Sequence, residues 1–346
     1  MHDDRHDDKD ALNPYLWGRS GEPDPEIQKL ETLLSEYRQD VPAPEFPQRG
    51  RVLVFRRVAV SLAAAAAVLL AVSTLVWQPG QPGPAWGVAP LEGTPQVGSQ
   101  ALKHTGSIAE GQYLVTDEKS RARIDVGLIG QVYVEPGSRV AMRSGKPNDH
   151  RLALDHGKIE ARIWAPPRLF FVDTPSAVAV DLGCRYTLAV DAAGAGFLHV
   201  ISGWVAFETE GRESFIPEGA MCTTRPGPGP GTPYFEDAPA ELIAALESLD
   251  FAQLDPEQRA VALNTVLGTA RQRDALTLWH LLTRTQGDER ARVYDRLAEL
   301  LPPPADVTRE GILAGNREMI DRWWTLVDPR AARFWRFWKG NFPGSR

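Results

Sequence analysis

The sequence predicts an α+β multidomain membrane protein with a short cytoplasmic helix, one transmembrane helix, an exported all-β roll or sandwich, and a C-terminal α-helical bundle. Three observations predict this fold class. A long run of uncharged residues begins at Val58, short apolar runs of period two begin near Gln112, and apolar spacings of three and four begin near 237. The predicted parts are 1–57 (cytoplasmic segment), 58–77 (transmembrane helix), 78–104 (linker and first strand region), 105–225 (β domain), 226–236 (Pro/Gly linker) and 237–346 (helical domain).

The run Val58–Trp77 holds twenty residues without a charge, a proline or a glycine. As a helix it would be about 30 Å long, the thickness of a bilayer's hydrocarbon core. A buried core helix or a cleaved signal peptide is the alternative, but 57 residues precede the run, and secretory signals have a short basic region there. Arginines crowd its N-terminal side, which predicts a cytoplasmic N-terminus and export of the remainder.

The segment before this run contains one amphipathic helix. Asp24 can cap it, Pro25 fits its first position, and one apolar stripe follows at helical spacing. A helix this short is marginal alone, so we expect it to fold onto a partner. The alternative is that it lies on the membrane surface, which its acidic polar face disfavours. The candidate partner-binding residues are Trp17, Ile27, Leu30, Leu34 and Tyr37.

The region from Gln112 to Ile216 contains about a dozen short runs with period-two spacing, separated by Gly, Pro, Asn and Asp. Runs such as Ala122–Val126 and Tyr186–Val190 are typical of half-buried strands. Many short strands at regular intervals predict an all-β sandwich or roll.

Within this region, the stretch Val172–Val190 (VDTPSAVAVDLGCRYTLAV) resembles the central signature of FecR-type domains, and VISGWVAF (200–207) and IPEGA (216–220) resemble later motifs of that family. The matching motif residues are Thr174, Pro175, Leu182, Gly183, Gly203, Trp204 and Gly219. The resemblance implies a single-pass inner-membrane regulator with a periplasmic β domain. It also implies that the cytoplasmic N-terminus holds an extracytoplasmic-function sigma factor. The chain departs from the family at Cys184, where threonine is usual, in its short N-terminal segment, and in its helical C-terminus.

The residues themselves give these motifs structural roles. Pro175 fixes a turn, Gly183 allows a bulge or a close approach of backbones, and Trp204 fills the core. Cys184 and Cys222 are the only two cysteines, each at a strand edge of an exported domain, which suggests a disulfide between them. The alternative is two separate buried thiols.

The C-terminal region shows six short helical patterns, which predict a small antiparallel bundle or a HEAT-like stack. Its end is rich in tryptophan and phenylalanine with interleaved arginines. This cluster either packs on the neighbouring helices, the favoured interpretation, or contacts lipid head groups or a protein partner.

Composition and the absence of known motifs argue against several classes of function. The formal net charge of −7 gives no basic surplus for nucleic acid, and the chain lacks the motifs of a hydrolase, a metalloprotease or a phosphate loop. We therefore expect no enzyme activity, no cofactor and no metal site. Two hypotheses stay open: a regulator that senses outside and controls a sigma factor inside, with a further outer protein partner, or a membrane-anchored scaffold or envelope-polymer binder without a sigma partner. The apolar stripe favours the first, because a mere tether does not need it.

Overall fold

The structure, a computed structural model, describes residues 20–36 and 84–328. It divides into two units at Trp77/Gln78. The first contains helix α1 (Pro25–Ser35). The second contains two β-sheets followed by a layer of helices.

Eighteen strands are present among the described residues. They are β1 (Ala85–Glu92), β2 (Gln96–Val97), β3 (Gln100–Ala101), β4 (Gly106–Ala109), β5 (Tyr113–Val115), β6 (Arg121–Val126), β7 (Gly130–Val134), β8 (Arg139–Lys146), β9 (Asp149–Ile163), β10 (Phe170–Asp173), β11 (Val178–Asp181), β12 (Arg185–Val190), β13 (Gly196–Ser202), β14 (Trp204–Thr209), β15 (Arg212–Pro217), β16 (Ala220–Arg225), β17 (Gly229–Pro230) and β18 (Tyr234–Phe235).

The strands form two sheets that share β9. Sheet A has the order β4-β1-β6-β7-β9-β12-β13-β16, and the short strands β17 and β18 both pair with β16. Sheet B has the order β3-β2-β5-β8-β9-β10-β11-β14-β15. Every pairing is antiparallel except that of β9 with β10.

Strand β9 changes sheets near Gly157. Residues 149–156 pair within sheet B, and Gly157 begins the pairing with β12 in sheet A. Gly157 has φ +100°, and a Cβ there would lie 2.3 Å from Oγ of Ser138. The bend therefore requires glycine, because any side chain would meet both strain and a clash.

The alternation predicted from sequence appears directly in the burial of strands such as β6, β7 and β12. In β6, Ala122, Ile124 and Val126 are fully buried, and the residues between them are partly exposed. Buried side chains from both sheets form one continuous core, which also includes residues of the helices. The Pro/Gly run predicted as a linker contributes to this core region, since Gly229–Pro230 is buried and pairs with β16.

The helical layer follows the strands. It comprises α2 (Ala240–Phe251), α3 (Pro256–Thr269), a short 3-10 turn (Gln272–Asp274), α4 (Ala275–Arg284), α5 (Gly287–Leu300), α6 (Arg309–Leu313) and α7 (Arg317–Val327). Local sequence sets the starts of two helices: Asp255 and Gln258 form a capping box at α3, and Asn316 caps α7 by accepting the Met319 N–H. The expected tryptophan packing occurs at Trp323 and Trp324, which are both buried, whereas the aromatic residues beyond 328 lie outside the described residues.

The predicted fold class is wrong in its transmembrane helix. Among residues 20–36 and 84–328, no helix is long and apolar enough to cross a membrane. The longest helices of the second unit, α3 and α5, have 14 residues each, which is about 21 Å against the roughly 30 Å of a bilayer core. The described chain is instead mostly β-sheet with helices at its C-terminal end. The predicted span, 58–77, lies outside the described residues.

Candidate functional site

Helix α1 presents an apolar surface to solvent. Asp24 caps the helix by accepting the Glu26 N–H at 2.9 Å, and Pro25 occupies its first position, as predicted. No residue of the helix is buried. Leu30, Leu33 and Leu34 are 57%, 70% and 62% exposed. Because large apolar side chains usually find cover, three adjacent exposed leucines on one short helix mark a candidate contact surface.

The structure places three of the five predicted partner-binding residues on this helix. Ile27, Leu30 and Leu34 are at positions i, i+3 and i+7, which lie on one face. Trp17 and Tyr37 lie outside the described residues. We name the face formed by Ile27, Leu30, Leu33 and Leu34 the α1 stripe.

The charge around the α1 stripe is strongly negative. Residues 20–36 contain five carboxylates and one lysine, a net charge of −4. Two of the carboxylates, Glu26 and Glu31, lie within the helix itself. A surface that covers the stripe would therefore be most complementary if it were apolar in the centre and basic at its rim.

The motif residues that resemble FecR-type domains lie at connections between strands of the second unit: β10–β11, β11–β12, β13–β14 and, for Gly219, β15–β16. At the first turn, which joins β10 to β11, the Thr174 hydroxyl accepts the Ala177 N–H at 3.0 Å and donates to the Ala177 carbonyl at 2.7 Å. Pro175 lies inside this turn, as predicted. The motif therefore encodes a rigid hairpin and contributes no reactive group.

Gly183, in the β11–β12 connection, and Gly203, in the β13–β14 connection, face each other. Gly183 has φ +88° and Gly203 has φ +79°, and a Cβ on Gly203 would lie 2.2 Å from the Gly183 carbonyl oxygen. This is the close backbone approach predicted at Gly183. Positive φ favours glycine at both positions, and at Gly203 a side chain would also have no room.

A buried polar cluster lies at the β11–β12 connection, around the side chain of Asp181. The Asp181 carboxylate, 1% exposed, accepts the Gly183 N–H at 2.7 Å and the Cys184 S–H at 2.6 Å. Burial raises the pKa of Asp181 to about 7, although these hydrogen bonds act in the opposite direction. Burial, followed by the nearby Asp181 charge, raises the pKa of the Cys184 thiol well above its ordinary value. A thiol held in this way is a poor nucleophile, so the cluster favours a structural role.

The predicted disulfide between Cys184 and Cys222 is not formed, and both are buried free thiols in the structure. The strand register gives the reason. Cys222 pairs with Leu198 of β13, which pairs with Leu188 of β12, whereas Cys184 immediately precedes Arg185 at the start of β12. Two strand spacings and four residues separate the cysteines, far beyond the roughly 7 Å between Cα atoms that a disulfide tolerates.

Helix α4 closes the edge of sheet B. Among the strands of residues 84–328, β15 pairs only with β14. On its other side, Nε2 of His280 accepts the Phe215 N–H at 3.0 Å, and Nδ1 of His280 lies 2.9 Å from the Leu276 carbonyl oxygen, to which it donates. Burial, together with the nearby Arg284 charge, lowers the pKa of His280 to about 3. The imidazole is therefore neutral, which it must be to accept a hydrogen bond.

A cleft of about 690 Å³ lies between this strand edge and the helices. One wall carries Arg212 and Arg284, which both bond to the Asp250 carboxylate at 2.5 Å and 3.4 Å. Burial lowers the pKa of Arg284 to about 10, and the charge of Asp250 acts against this change. Sequence analysis missed His280 and Arg284. The sequence pattern gave only a weak indication of them, because it shows no more than a histidine and an arginine within an apolar helical run.

The motif tryptophan joins the two layers. The Trp204 indole N–H donates to Oδ2 of Asp328 at 2.7 Å, and the side chain is half-buried. The expected core role of Trp204 is therefore only part of its contribution, because it also links β14 to the end of α7.

No protein-family profile matches the chain, and no curated protein matches it in sequence. Two similar solved structures are both crystal structures of "a putative anti-sigma factor" from Parabacteroides distasonis ATCC 8503, at 1.65 and 2.50 Å resolution. Each has 13% sequence identity and a TM-score of 0.32. The first match covers 38% of this chain and 63% of the solved chain, and the second covers 44% and 73%. At this level, the similarity establishes neither a shared family nor a shared activity.

Proposed function

We propose that this chain is a FecR-type regulator that holds an extracytoplasmic-function sigma factor through its N-terminal segment and receives a signal through its β-rich unit. The observation that carries the proposal is the α1 stripe. The motifs at 172–220, which resemble FecR-type domains, supply the class of partner.

The stripe supports protein binding for an energetic reason. Fully burying one leucine contributes roughly 1.5 to 3 kcal/mol, so covering the exposed parts of Leu30, Leu33 and Leu34 would contribute about 3 to 6 kcal/mol. A segment whose only role is to tether the chain would not need the exposed apolar face of the α1 stripe. The acidic flanks favour a partner groove with a basic rim, and they disfavour an anionic membrane surface as the occupant.

Co-purification tests the proposal. The tagged full-length chain is expected to recover a sigma factor, identified by mass spectrometry, and the variant carrying Leu30→Asp and Leu34→Asp is expected to lose it. Two charges in the buried stripe would weaken binding at least about a hundredfold. Transcription from that sigma factor's promoters should rise in the variant if the chain is an inhibitor and fall if it is a co-activator.

The matched control places the same charges on the polar face. Gln28→Asp and Thr32→Asp have the same i, i+4 spacing on α1, and both positions are exposed. This control should retain the sigma factor. Loss of the factor from both variants, or from neither, would contradict the proposal and favour a scaffold without a sigma partner.

The location stays a prediction: the N-terminus in the cytoplasm of a bacterium, with the bulk of the chain in the periplasm. A reporter enzyme that is active only outside the cytoplasm should work when fused after Arg346 and be silent at Met1. The reverse pattern would refute the predicted orientation.

A further inference from the structure

The outer face of sheet A is positively charged at its centre, although the whole chain has a net charge of −7. On β7, β9 and β12 the side chains that alternate away from the core include three cations, Lys158, Arg162 and Arg185, and one carboxylate, Glu160. This leaves a surplus of two positive charges on three adjacent strands. We name this area the sheet A face.

Two of the cations are direct cross-strand neighbours. Arg162 of β9 pairs with Arg185 of β12 in the sheet register. Like charges at directly opposed positions are unfavourable in an antiparallel pair. The pair is held by one shared acceptor, because Nε of Arg162 and Nε of Arg185 both donate to Oε1 of Glu160, at 2.7 and 2.8 Å.

Hydrogen bonds from the two arginines favour the ionised form of Glu160. Burial alone would raise its pKa, but the hydrogen bonds from Arg162 and Arg185 outweigh burial and lower the pKa below its ordinary value. Even fully ionised, one carboxylate balances only one of the two guanidinium groups. Since both arginines reach Glu160 through Nε, their terminal nitrogens remain for a second anion.

The arginines are also ordered. The Arg162 guanidinium lies 4.5 Å from the centre of the Tyr133 ring. The side chains of Arg162 and Arg185 are 42% and 44% exposed, so they are anchored yet accessible. An anion that bound here would meet donors whose positions are already fixed, which reduces the entropy cost of binding.

An exposed aromatic ring follows immediately after the end of β9. Trp164 comes two residues after Arg162, which places its Cα roughly 7 Å further along the same face. It is 64% exposed, and its indole N–H donates to the Leu128 carbonyl at 2.8 Å. The bond fixes the edge of the ring while much of the side chain remains in solvent. A fixed, exposed indole is a platform on which a flat, partly apolar ring can stack.

Two neutral polar side chains, Tyr133 and Gln131, complete the face beside Asp125 of β6, whose charge is balanced by Arg123. The Tyr133 hydroxyl donates to Oε1 of Gln131 at 3.2 Å, and Nε2 of Gln131 donates to Oδ1 of Asp125 at 3.1 Å. These side chains offer both donors and acceptors at half-exposed positions. Hydroxyl groups, which both donate and accept, are well matched to such a mixture.

We propose that the sheet A face binds an anionic polysaccharide, with a carboxylate of the polymer between Arg162 and Arg185 and a sugar ring stacked on Trp164. The surplus of positive charge favours an anionic ligand, and the exposed indole favours a ligand that contains a ring. The mixed hydrogen-bond donors and acceptors suit the hydroxyl groups of a sugar. An acidic peptide would satisfy the arginines but would not need the exposed ring. This site is independent of the α1 stripe, and it goes beyond the proposed sigma-factor function.

Native affinity electrophoresis of the purified full-length chain tests the site. Polygalacturonate in the gel is expected to retard the chain, whereas neutral dextran is not. Arg162→Gln and Arg185→Gln should each raise the apparent Kd about tenfold or more, as expected for a lost charge-assisted hydrogen bond. Trp164→Ala should raise it about fivefold through the lost stacking.

The matched controls lie outside the sheet A face. Arg139 is also 42% exposed, bonds one carboxylate (Asp155) and stacks on a tyrosine, Tyr113, but it lies on sheet B. Val261 is 60% exposed on α3. Arg139→Gln and Val261→Ala should leave the Kd within about twofold, and thermal unfolding of every variant shows whether it folds.

Three results would overturn the proposal. Equal retardation by poly-L-glutamate would identify an acidic peptide as the ligand class, and unchanged binding in folded Trp164→Ala would remove the ring platform. No retardation of the wild-type chain by polygalacturonate would refute the site.

Discussion

The contact between His280 and β15 makes a testable contribution to stability. Replacing His280 by leucine removes the acceptor for the Phe215 N–H while keeping an apolar side chain of similar bulk. The Phe215 N–H would then lose the hydrogen bond to His280, which costs about 1 to 3 kcal/mol. The lost ring contacts with Trp279 and Trp324 add to this. We expect a loss of about 2 to 4 kcal/mol in the free energy of unfolding at pH 7.

The same variant should behave differently at low pH. Burial lowers the pKa of His280 from 6.5 to about 3, so the unfolded chain takes up a proton that the folded chain refuses. The contribution of a neutral His280 is therefore complete above pH 6.5 and is lost as the pH falls toward 3. At pH 5 the loss is about 2 kcal/mol, from 1.36 kcal/mol per pH unit. The leucine variant lacks this loss.

Urea unfolding of the two purified chains at pH 7 and pH 5 measures both effects. The stability gap between wild type and His280→Leu should narrow by about 2 kcal/mol at pH 5. Groups common to both chains cancel in this difference. A control at the exposed His104, His104→Leu, should change stability by less than about 0.5 kcal/mol. A gap that is the same at both pH values would refute the neutral, buried state of His280, and no gap at pH 7 would refute its role at the strand edge.

Three further predictions follow from the β sheets. Gly203→Ala should destabilise the chain by several kcal/mol, because its Cβ would lie 2.2 Å from a carbonyl oxygen, whereas Gly211→Ala, with a similar φ of +83° and nothing within 4 Å, should cost only about 1 to 2 kcal/mol in thermal unfolding. Asp181→Asn should flatten the pH dependence of stability: the pKa of about 7 means that wild type loses stability as the pH rises from 3.8 to 7, since only the unfolded chain releases this proton readily. Cys184 and Cys222 should both react with an alkylating agent after denaturation without reductant, and an intact mass with neither thiol labelled would contradict the free thiols seen here.

The sequence allowed the strands to be predicted where local alternation was clear. The predicted run Ala122–Val126 corresponds to β6 (Arg121–Val126), and Tyr186–Val190 to β12 (Arg185–Val190). The bounds of β1 could not be predicted, because Gly87 and Pro90 interrupt its pattern. Gly87 is tolerated there because it lies opposite Asp125 in β6, a partner that only the folded sheet supplies.

The candidate sites show the same division between local and long-range information. The helix that carries Ile27, Leu30 and Leu34 and its Asp24 cap follow from spacing within eleven residues, so both could be predicted locally. Partner binding by these residues stays a prediction. The contact of His280 joins atoms 65 residues apart, and no local pattern encodes such a pairing. The disulfide prediction failed for the same reason, since the distance between two strand-edge cysteines depends on the order of strands.

The passage of β9 through both sheets restricts how this unit can change shape. Separating the two sheets would require breaking the pairing of β9 with β8 and β10 on one side of Gly157, or with β7 and β12 on the other. The two sheets therefore cannot separate along β9 while these pairings stay intact. We expect a conformational signal from this unit to travel through its helices and connecting loops, without separation of the sheets at this strand.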